Sequence, residues 1–294
     1  MATTLPLTIA IPTYRREDVL LKTVADLLAL EPRAAEILLI DQTPQHQPAT
    51  ESRLGQWNAS ADIRWIRRAA ASIPGAMNDA LMLATQDLVL FVDDDVRPQP
   101  ELLLAHVKAH AIDTTVLVAG RVIQPWEEGL APQLATGFAS TQAGDVREFI
   151  GCNFSVPRGQ ALALGGFDEN FVSVAYRFEA EFAHRWLGAG GRIRFVPEAC
   201  LHHLKELEGG TRSFGDHRTT WRGDHAVGAY YWALRTGSWR EFARRPWRAV
   251  ATRFHLARPW RIPPTIAAEL GGMLWAIKLH RSGPKRRPAS TSKP

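Results

Sequence analysis

An apolar run of strand length that ends in three aspartates is the feature that most constrains this chain. Residues 88–92 read LVLFV, and Asp93, Asp94 and Asp95 follow directly. Carboxylates repel one another, and no adjacent residue neutralises these three. Such a cluster at the end of a buried strand favours a bound cation, and oxygen ligands suit a hard divalent ion such as Mg²⁺ or Mn²⁺. The motif alone leaves a solvated acidic turn as the alternative.

Short apolar runs alternate with helical segments in the first hundred residues. Strand-length runs lie at 5–11, 36–40 and 88–92, and apolar residues recur at helical spacing in 15–30 and 75–85. This rhythm predicts an α/β fold with a mostly parallel central sheet flanked by helices. Ligands of such sheets bind beyond the carboxyl ends of the strands. Because Thr13, Tyr14 and Asp41 also follow strands, we expect one crevice that contains them and the three aspartates.

Charge divides the chain into an acidic body and a basic C-terminal part. Residues 1–204 contain 17 Lys and Arg against 24 Asp and Glu, whereas residues 205–294 contain 18 against 6. Six of the ten tryptophans lie in the basic part, at Trp221, Trp232, Trp239, Trp247, Trp260 and Trp275. A solvated basic helical pair is the default interpretation of this pattern. Interleaved Trp and Arg also suit an anionic membrane surface, which we expect as a partner, whereas nucleic acid is not expected.

Cysteines and hydrophobic segments set limits on the class of protein. Cys152 and Cys200 are too few for a disulfide scaffold, and we interpret both as buried small apolar residues. No basic region precedes an apolar segment at the N-terminus, so we expect no signal peptide. No apolar stretch reaches the ~18 residues that a spanning helix needs. Together these patterns predict a cytoplasmic protein, with a peripheral position on the inner face of the membrane as an option.

Six features in order resemble glycosyltransferase family 2 over roughly residues 5–205. They are IAIPTYRRED, LLIDQTP, an Asn fifteen residues before Asp93, GCNFSVPRGQALALGGFDENF, FEAEFAHRWLGAGG and PEACLHH. The resemblance implies a nucleotide-diphospho-sugar transferase of the GT-A fold with a basic helical extension. It implies transfer of a sugar from an NDP-sugar to an acceptor hydroxyl with inversion, aided by Mg²⁺ or Mn²⁺. A glycan or a lipid-linked molecule is the expected acceptor.

The same resemblance gives roles to individual residues. The donor nucleotide sugar is expected at Pro12, Thr13, Tyr14, Asp41, Asn78, Asp93 and Asp94. The metal ion is expected at Asp93, Asp95 and His203. The acceptor is expected at Asn153, Gly166, Phe167 and Asp168. Two departures from the family pattern weaken donor contacts: the turn after the second strand reads DQTP, and Met77 stands where a basic residue commonly precedes the Asn.

For both the general base and the metal-binding histidine, a nearby residue of the same type is an alternative candidate. Counting back from Arg185, Glu179 falls on the family's catalytic aspartate, although it could be an ordinary exposed helix acid. Glu181 is one helical step from Arg185, so we interpret it as the structural ion-pair partner. In a strand, His202 and His203 point to opposite faces, and the motif position favours His203. A core or surface histidine is the alternative for His203.

The expected organisation has three parts. Residues 1–215 form the transferase domain, with a nucleotide-sugar half at 1–98 and an acceptor half at 99–215. Residues 216–280 form a basic, Trp-rich helical extension, and 281–294 form a disordered tail.

Two other functions remain open. A sugar-nucleotide nucleotidyltransferase would be expected to carry a Gly-rich basic loop after the first strand, but PTYR at 12–15 contains no glycine. A non-catalytic basic binding protein would leave the three aspartates and Glu179 unexplained.

Overall fold

A computed structural model describes residues 4–287 and contains a nine-stranded sheet with helices on both faces. The strands are β1 (Leu5–Thr13), β2 (Ala34–Asp41), β3 (Arg64–Arg67), β4 (Leu88–Val92), β5 (Val96–Pro98), β6 (Val116–Ile123), β7 (Gly144–Asp145), β8 (Asn153–Pro157) and β9 (Arg192–His203). The helices are α1 (Asp18–Leu28), α2 (Pro48–Ala59), α3 (Ile73–Leu83), α4 (Leu102–Ile112), α5 (Arg158–Ala163), α6 (Phe178–Gly188), α7 (Val227–Thr236), α8 (Trp239–Val250), α9 (Arg253–Ala257) and α10 (Ile262–Arg281).

The sheet is parallel in its first half and mixed in its second. Its order is β3-β2-β1-β4-β8-β6-β9-β5, with β7 paired to β9. The strands β1 to β4 pair in parallel, as the sequence predicts. However, β8 is antiparallel to β4 and β6, and β5 and β7 are antiparallel to β9. Only Asp93–Asp95 separate β4 from β5, and a parallel neighbour would need a crossover of a dozen or more residues. The chain therefore leaves β4 and pairs β5 with the distant strand β9.

Alternating side chains on the central strands separate the core into two layers. On β4, Val89 and Phe91 face the layer that contains α3, α6 and α7, whereas Leu90 and Val92 face the layer that contains α1 and α4. Phe91 stacks on Phe154 with ring centroids 5.0 Å apart. The carboxyl end of β4 is therefore fixed between two apolar layers, and the aspartates start where that packing ends.

The C-terminal helices pack on the α6 side of the sheet. Helix α7 contacts α6 and α10, and α8 contacts α7 and α10. None of the twelve residues of α8 is buried. Between residues 4 and 287, we find no helix with both the length and the hydropathy to cross a membrane.

The segment after α10 differs from the predicted disordered tail. Arg281 is still helical, and the backbone of the next residues binds the body of the protein. Glu169 N donates to Lys285 O at 2.8 Å, and Arg287 N donates to Gly165 O at 3.0 Å. Because this basic segment meets buried acids, it is held in place as far as 287. The rest of the predicted tail, 288–294, lies outside the described residues.

Candidate active site

A cavity lies beyond the carboxyl ends of β1 and β4, where the sequence predicts the ligand crevice. Its walls include these residues: Pro12, Thr13, Tyr14, Arg16, Gln42, Ser72, Asp93, Asp94, Asp95, His203, Lys205 and Arg212. Seven of these were expected from the sequence, four for the donor, two for the metal ion and one for both. We call this space the donor cavity.

Arg16 neutralises part of the aspartate cluster. Its Nε donates to Asp94 Oδ1 at 3.2 Å, and a terminal nitrogen donates to Asp95 Oδ2 at 3.3 Å. Thr13 Oγ1 also donates to Asp94, at 2.7 Å. No adjacent residue neutralises the aspartates, as the sequence indicates, but the turn after β1 brings a buried guanidinium from a distant part of the chain to two of them. Burial raises the pKa of Asp94 to about 7, although Arg16 opposes this change.

An imidazole joins two of the aspartates. His203 Nε2 lies 3.1 Å from Asp95 Oδ1 and 3.5 Å from Asp93 Oδ2. Burial disfavours ionisation of Asp95, but His203, Arg16 and the backbone N–H of Glu206 together hold its pKa below the usual range. His203 Nδ1 is buried and has no hydrogen-bond partner among residues 4–287. Carboxylate oxygens with one imidazole nitrogen form a donor set that suits Mn²⁺ or Mg²⁺.

His202 and Cys152 are neighbours of His203 and the aspartates, and their positions can be compared with the predictions. His202 points to the other face of β9, where its Nδ1 lies 3.0 Å from Glu128 Oε1. Cys152 is buried, as expected, but its sulfur also lies within 4.8 Å of ligand atoms of Asp93 and His203. This proximity is not evident from the sequence, because Cys152 precedes β8 and the aspartates follow β4.

Glu179 lies in the first turn of α6, near Asp93. Burial raises the pKa of Glu179 to about 7, and the charge of Asp93 adds to the rise, although the backbone N–H groups of Glu179 and Gly151 oppose it. A Cβ at Gly151 would stand 2.8 Å from Glu179 Oε1, so this close approach requires glycine. A carboxyl group with a pKa near neutrality is suited to accept a proton.

Glu181 makes the ion pair that the sequence predicts. Its two carboxylate oxygens accept from Nε and a terminal nitrogen of Arg185, both at 2.8 Å. Arg286 donates to the same carboxylate at 3.0 Å. Glu181 is buried and fully paired, whereas Glu179 on the same helix pairs with no basic residue in the described chain.

Asp41 does not reach the donor cavity, contrary to the expectation. It is fully buried, and its carboxylate accepts from Thr43 N at 2.8 Å and from Trp65 Nε1 at 2.9 Å. His46 Nε2 lies 2.9 Å from the same group. The next residue, Gln42, faces the cavity instead, because successive side chains at a strand end point to opposite sides.

Asn78 clamps a loop and lies outside the cavity wall. Its Nδ2 donates to Phe167 O at 2.9 Å, and its Oδ1 accepts from Phe167 N at 2.7 Å. Gly166 has a φ of 65°, and a Cβ there would collide with Asn78 Oδ1. Phe167 is fully buried and stacks on Phe182 at 4.4 Å between centroids. The expected donor role of Asn78 and acceptor roles of Gly166 and Phe167 are therefore not supported by their positions.

Asp168 and Asn153 are also structural. Asp168 accepts from Tyr231 OH at 2.8 Å and from Lys285 N at 2.9 Å. Asn153 Nδ2 donates to Ala199 O at 2.8 Å. Both residues are almost inaccessible and belong to none of the cavity walls described here. Their polar groups satisfy buried hydrogen-bonding partners, so these positions give no support to the expected acceptor role, which stays a prediction.

Four functional candidates were missed by reasoning from the sequence. Arg16, Lys205 and Arg212 bring positive charge to the donor cavity, and Gln42 contributes an amide. Gln42 Oε1 accepts from Ser72 N at 2.6 Å, and its Nε2 donates to Thr13 O at 3.2 Å. The sequence signal for this positive charge was Arg16, two residues after Tyr14, and Lys205, two residues after His203.

Comparison with known proteins identifies the family of the chain. Residues 8–160, more than half of the chain, match the family described as glycosyl transferase family 2. A pre-mycofactocin glycosyltransferase of Mycobacterium tuberculosis is 27% identical over 237 residues, which cover 76% of this chain and 45% of that protein. This chain therefore spans less than half the length of that curated relative.

Solved structures show the same fold. The mannosyltransferase PcManGT from Pyrobaculum calidifontis, in complex with GDP-Man and Mn²⁺, superposes with a TM-score of 0.58 at 20% identity, covering 96% of this chain and 80% of that one. GalNAc-T7, with UDP, GalNAc and Mn²⁺, has a TM-score of 0.59 at 17% identity, covering 80% of this chain and 52% of that one. The expected GT-A fold is confirmed. The match over residues 8–160 favours neither alternative, a nucleotidyltransferase or a non-catalytic binding protein, and the chain belongs to glycosyltransferase family 2.

Proposed function

We propose that this glycosyltransferase moves a sugar from an NDP-sugar to an acceptor hydroxyl, with a divalent ion in the donor cavity and inversion at the anomeric carbon. The observation that carries the proposal is that His203 Nε2 lies within 3.5 Å of a carboxylate oxygen of Asp93 and of one of Asp95, with Glu179 nearby. The two solved relatives named above bind Mn²⁺ together with a nucleotide or nucleotide sugar, which favours the same ligand class.

The donor cavity has the chemistry that a sugar nucleotide needs. Asp93, Asp95 and His203 would hold Mg²⁺ or Mn²⁺, which compensates negative charge on a leaving diphosphate. Lys205 and Arg212 add positive charge on the cavity wall for the same phosphates. The amide of Gln42 and the hydroxyl of Ser72 are on the same wall, where hydrogen bonds can orient the nucleoside. We propose these two residues in place of Asp41.

Glu179 is the proposed general base. The acceptor hydroxyl must lose its proton as its oxygen attacks the anomeric carbon, and a single positioned carboxylate is sufficient for this step. A direct displacement by that oxygen inverts the configuration. Because the pKa of Glu179 is about 7, a large fraction is ionised at neutral pH, and the group is basic enough to accept the proton.

The acceptor side is proposed to work at an anionic membrane surface. The solvent-facing positions 267, 270, 271 and 274 of α10 recur at helical spacing and are all apolar or glycine. Leu270 and Leu274 are 47% and 65% exposed, and Trp239 and Trp247 of α8 are 66% and 74% exposed. Arg240, Arg244 and Arg248 of α8 are exposed on the same helix as these two tryptophans, as expected for an interfacial surface. A lipid-linked or other membrane-associated acceptor fits this placement, and the cytoplasmic location stays a prediction.

Donor hydrolysis tests the enzymatic proposal. A panel of NDP-sugars is incubated with the protein and Mn²⁺, and release of free NDP is measured with and without EDTA. We expect metal-dependent release from one donor and its loss in Asp95→Asn. The matched control is Asp26→Asn, which removes a half-buried acid whose ion pair among residues 4–287 is with Lys22. Full activity in excess EDTA, or an active Asp95→Asn, would contradict the metal assignment.

Vesicle co-sedimentation tests the membrane proposal. The native protein is expected to bind vesicles that contain phosphatidylglycerol, and binding should fall with salt because screening shortens the reach of surface charge to about 8–10 Å. Leu270→Gln with Leu274→Gln should reduce binding. Ile112→Gln, which changes an 89% exposed residue on α4, is the control. Equal binding to neutral and anionic vesicles would refute the proposed surface.

A further inference from the structure

A second cavity, separate from the donor cavity, lies between the loop before α6 and the C-terminal helices. Its volume is about 680 Å³, within the range of small-molecule sites. Six arginines line it: Arg177, Arg218, Arg222, Arg245, Arg248 and Arg253. The acids on its wall are Glu241 and Glu269. We call this space the basic cavity. Nothing in the proposed donor chemistry uses it.

Most of these arginines are available to a ligand. Arg253 is exposed and forms no ion pair with any residue from 4 to 287. Arg248 pairs with Glu241 at 2.7 Å, but their side chains are 65% and 44% exposed. Arg218 pairs with Asp216 in a similarly exposed position. Exposed pairs of this kind contribute little, so a ligand with a more highly charged anionic group can replace the carboxylate. Arg245 and Arg222 are different, because their partners Glu269 and Asp224 are buried.

The loop 173–177 separates the two cavities. Ser173 lines the donor cavity, whereas Tyr176 and Arg177 line the basic cavity. Three residues of the loop have left-handed backbone, at Ser173, Ala175 and Arg177, with φ of 57°, 52° and 75°. Such conformations persist only where surrounding contacts hold them, and they concentrate at ligand clamps. Here Ser173 Oγ donates to the buried carboxylate of Asp224 at 2.7 Å.

The loop leads directly into the helix that carries the proposed base. Residue 177 is the last before α6, and Glu179 is in the first turn. A molecule bound in the basic cavity would therefore lie beside the start of α6, and a short extension of it past the loop would reach the donor side. This is the position required of an acceptor.

We propose that the basic cavity binds a phosphate or diphosphate group of the acceptor, and so presents the acceptor hydroxyl to Glu179. Planar guanidinium groups bind phosphate oxygens in pairs, which gives orientation as well as affinity. The proposal rests on the transferase function proposed above. It adds that the acceptor is anionic and that arginines of the C-terminal helices recognise its phosphate.

Calorimetric titration with inorganic pyrophosphate in EDTA tests the binding site on the full chain. The double variant Arg248→Gln with Arg253→Gln should bind at least about tenfold more weakly, because it loses charge-assisted hydrogen bonds. Arg240→Gln is the matched control, since Arg240 is an exposed arginine of the same helix α8 outside the cavity wall. Lys205→Gln reports any binding in the donor cavity.

The variants separate the possible outcomes. Loss of affinity in the double variant, with native affinity in Arg240→Gln and Lys205→Gln, supports the site. No binding to the native protein, equal binding by the double variant, or a loss confined to Lys205→Gln overturns it. Donor hydrolysis by the double variant should stay at the native level. A native protein that binds pyrophosphate but hydrolyses no donor would refute the transferase proposal and leave the phosphate site standing.

A second pair of probes identifies the source of the phosphate. Glycerol 3-phosphate and dihexanoyl phosphatidate carry the same type of phosphate group, and only the second has acyl chains. Tighter binding of the phosphatidate supports a phosphate borne by a lipid, and equal binding of both supports a phosphate borne by a soluble acceptor. Binding of neither by the native protein overturns the proposed recognition of a phosphate monoester.

Discussion

Replacing Glu179 by Gln removes the proposed base while keeping the shape of the side chain. We expect donor binding to persist and sugar transfer to fall by about 10²-fold or more, the usual contribution of a positioned base. Glu181→Gln is the matched control on the same helix. It should retain the base and lower the free energy of unfolding by about 3 kcal/mol, because it breaks a buried ion pair with Arg185.

The raised pKa of Glu179 gives this prediction a pH dependence with a defined sign. The carboxylate must be ionised to accept a proton, so the transfer rate should rise with pH through about 7 and then level off. Glu179→Gln should lack this rise. The transfer rate of Glu181→Gln should keep this rise, since Glu179 is unchanged there.

The same pKa makes Glu179 destabilising at high pH. The pKa rises from 4.5 to about 7 on folding, so the folded state favours the protonated form. The stabilisation of the folded state is complete below 4.5 and is lost as the pH rises through 7, by about 3 kcal/mol. Glu179→Gln should therefore be more stable than the native protein at pH 8 and about equal at pH 4.

Urea unfolding at the two pH values and initial rates of transfer across the pH range measure these effects. Transfer that survives in Glu179→Gln, or is lost in Glu181→Gln with the fold intact, would show that the wrong carboxylate was assigned. The difference in the free energy of unfolding between the native protein and Glu179→Gln should change between pH 4 and pH 8. If this difference is the same at both pH values, the proposed burial of the charge is refuted.

Three further changes test other parts of the structure. Asp95→Asn should weaken UDP or GDP binding in Mn²⁺ by about tenfold and leave binding in EDTA unchanged, measured by titration calorimetry; equal loss in both conditions would contradict the metal role. Phe167→Ala should lower the free energy of unfolding by about 3–5 kcal/mol, measured in urea, because the ring is fully buried between aromatic neighbours; a change below about 1 kcal/mol would contradict its place in the core. Arg286→Gln should lower the free energy of unfolding, measured in urea, by about 1 kcal/mol, because it removes one hydrogen bond to Glu181 on α6. It should also reduce the transfer rate more than the donor hydrolysis rate; an equal effect on both rates would argue against a role of Arg286 in positioning α6.

The parts of the site that follow from strand order were predictable from the sequence. Carboxyl ends of parallel strands meet at one edge, and this rule places Thr13 beside the aspartates. The alternation of side chains in a strand separates His202 from His203, and His203 is the one that meets Asp95. Both conclusions follow from the positions of the strands and from the alternation of side chains along each strand. They do not require knowledge of which distant residues form hydrogen bonds with one another.

The roles of buried polar residues were not predictable in this way. Asn78 and Asp168 belong to segments that resemble functional motifs, but their hydrogen bonds go to Phe167, Tyr231 and Lys285. These partners are more than sixty residues away in the sequence, and no local pattern identifies them. Asp41 shows the same difficulty, since its partner Trp65 comes from another strand. A polar residue in a motif can serve either the ligand or the backbone, and only the fold decides between them.

The C-terminal extension and the helix of the proposed base form one connected structure. Arg286 binds Glu181 on α6, and Arg287 binds both Glu169 at 2.8 Å and Asp79 at 3.1 Å. These contacts join the end of the chain to α3, to the loop after Gly166 and to α6. The same extension provides the exposed apolar surface and most of the arginines of the basic cavity. A change in the position of these helices, such as docking on a membrane, would therefore act on the basic cavity and on Glu179 together.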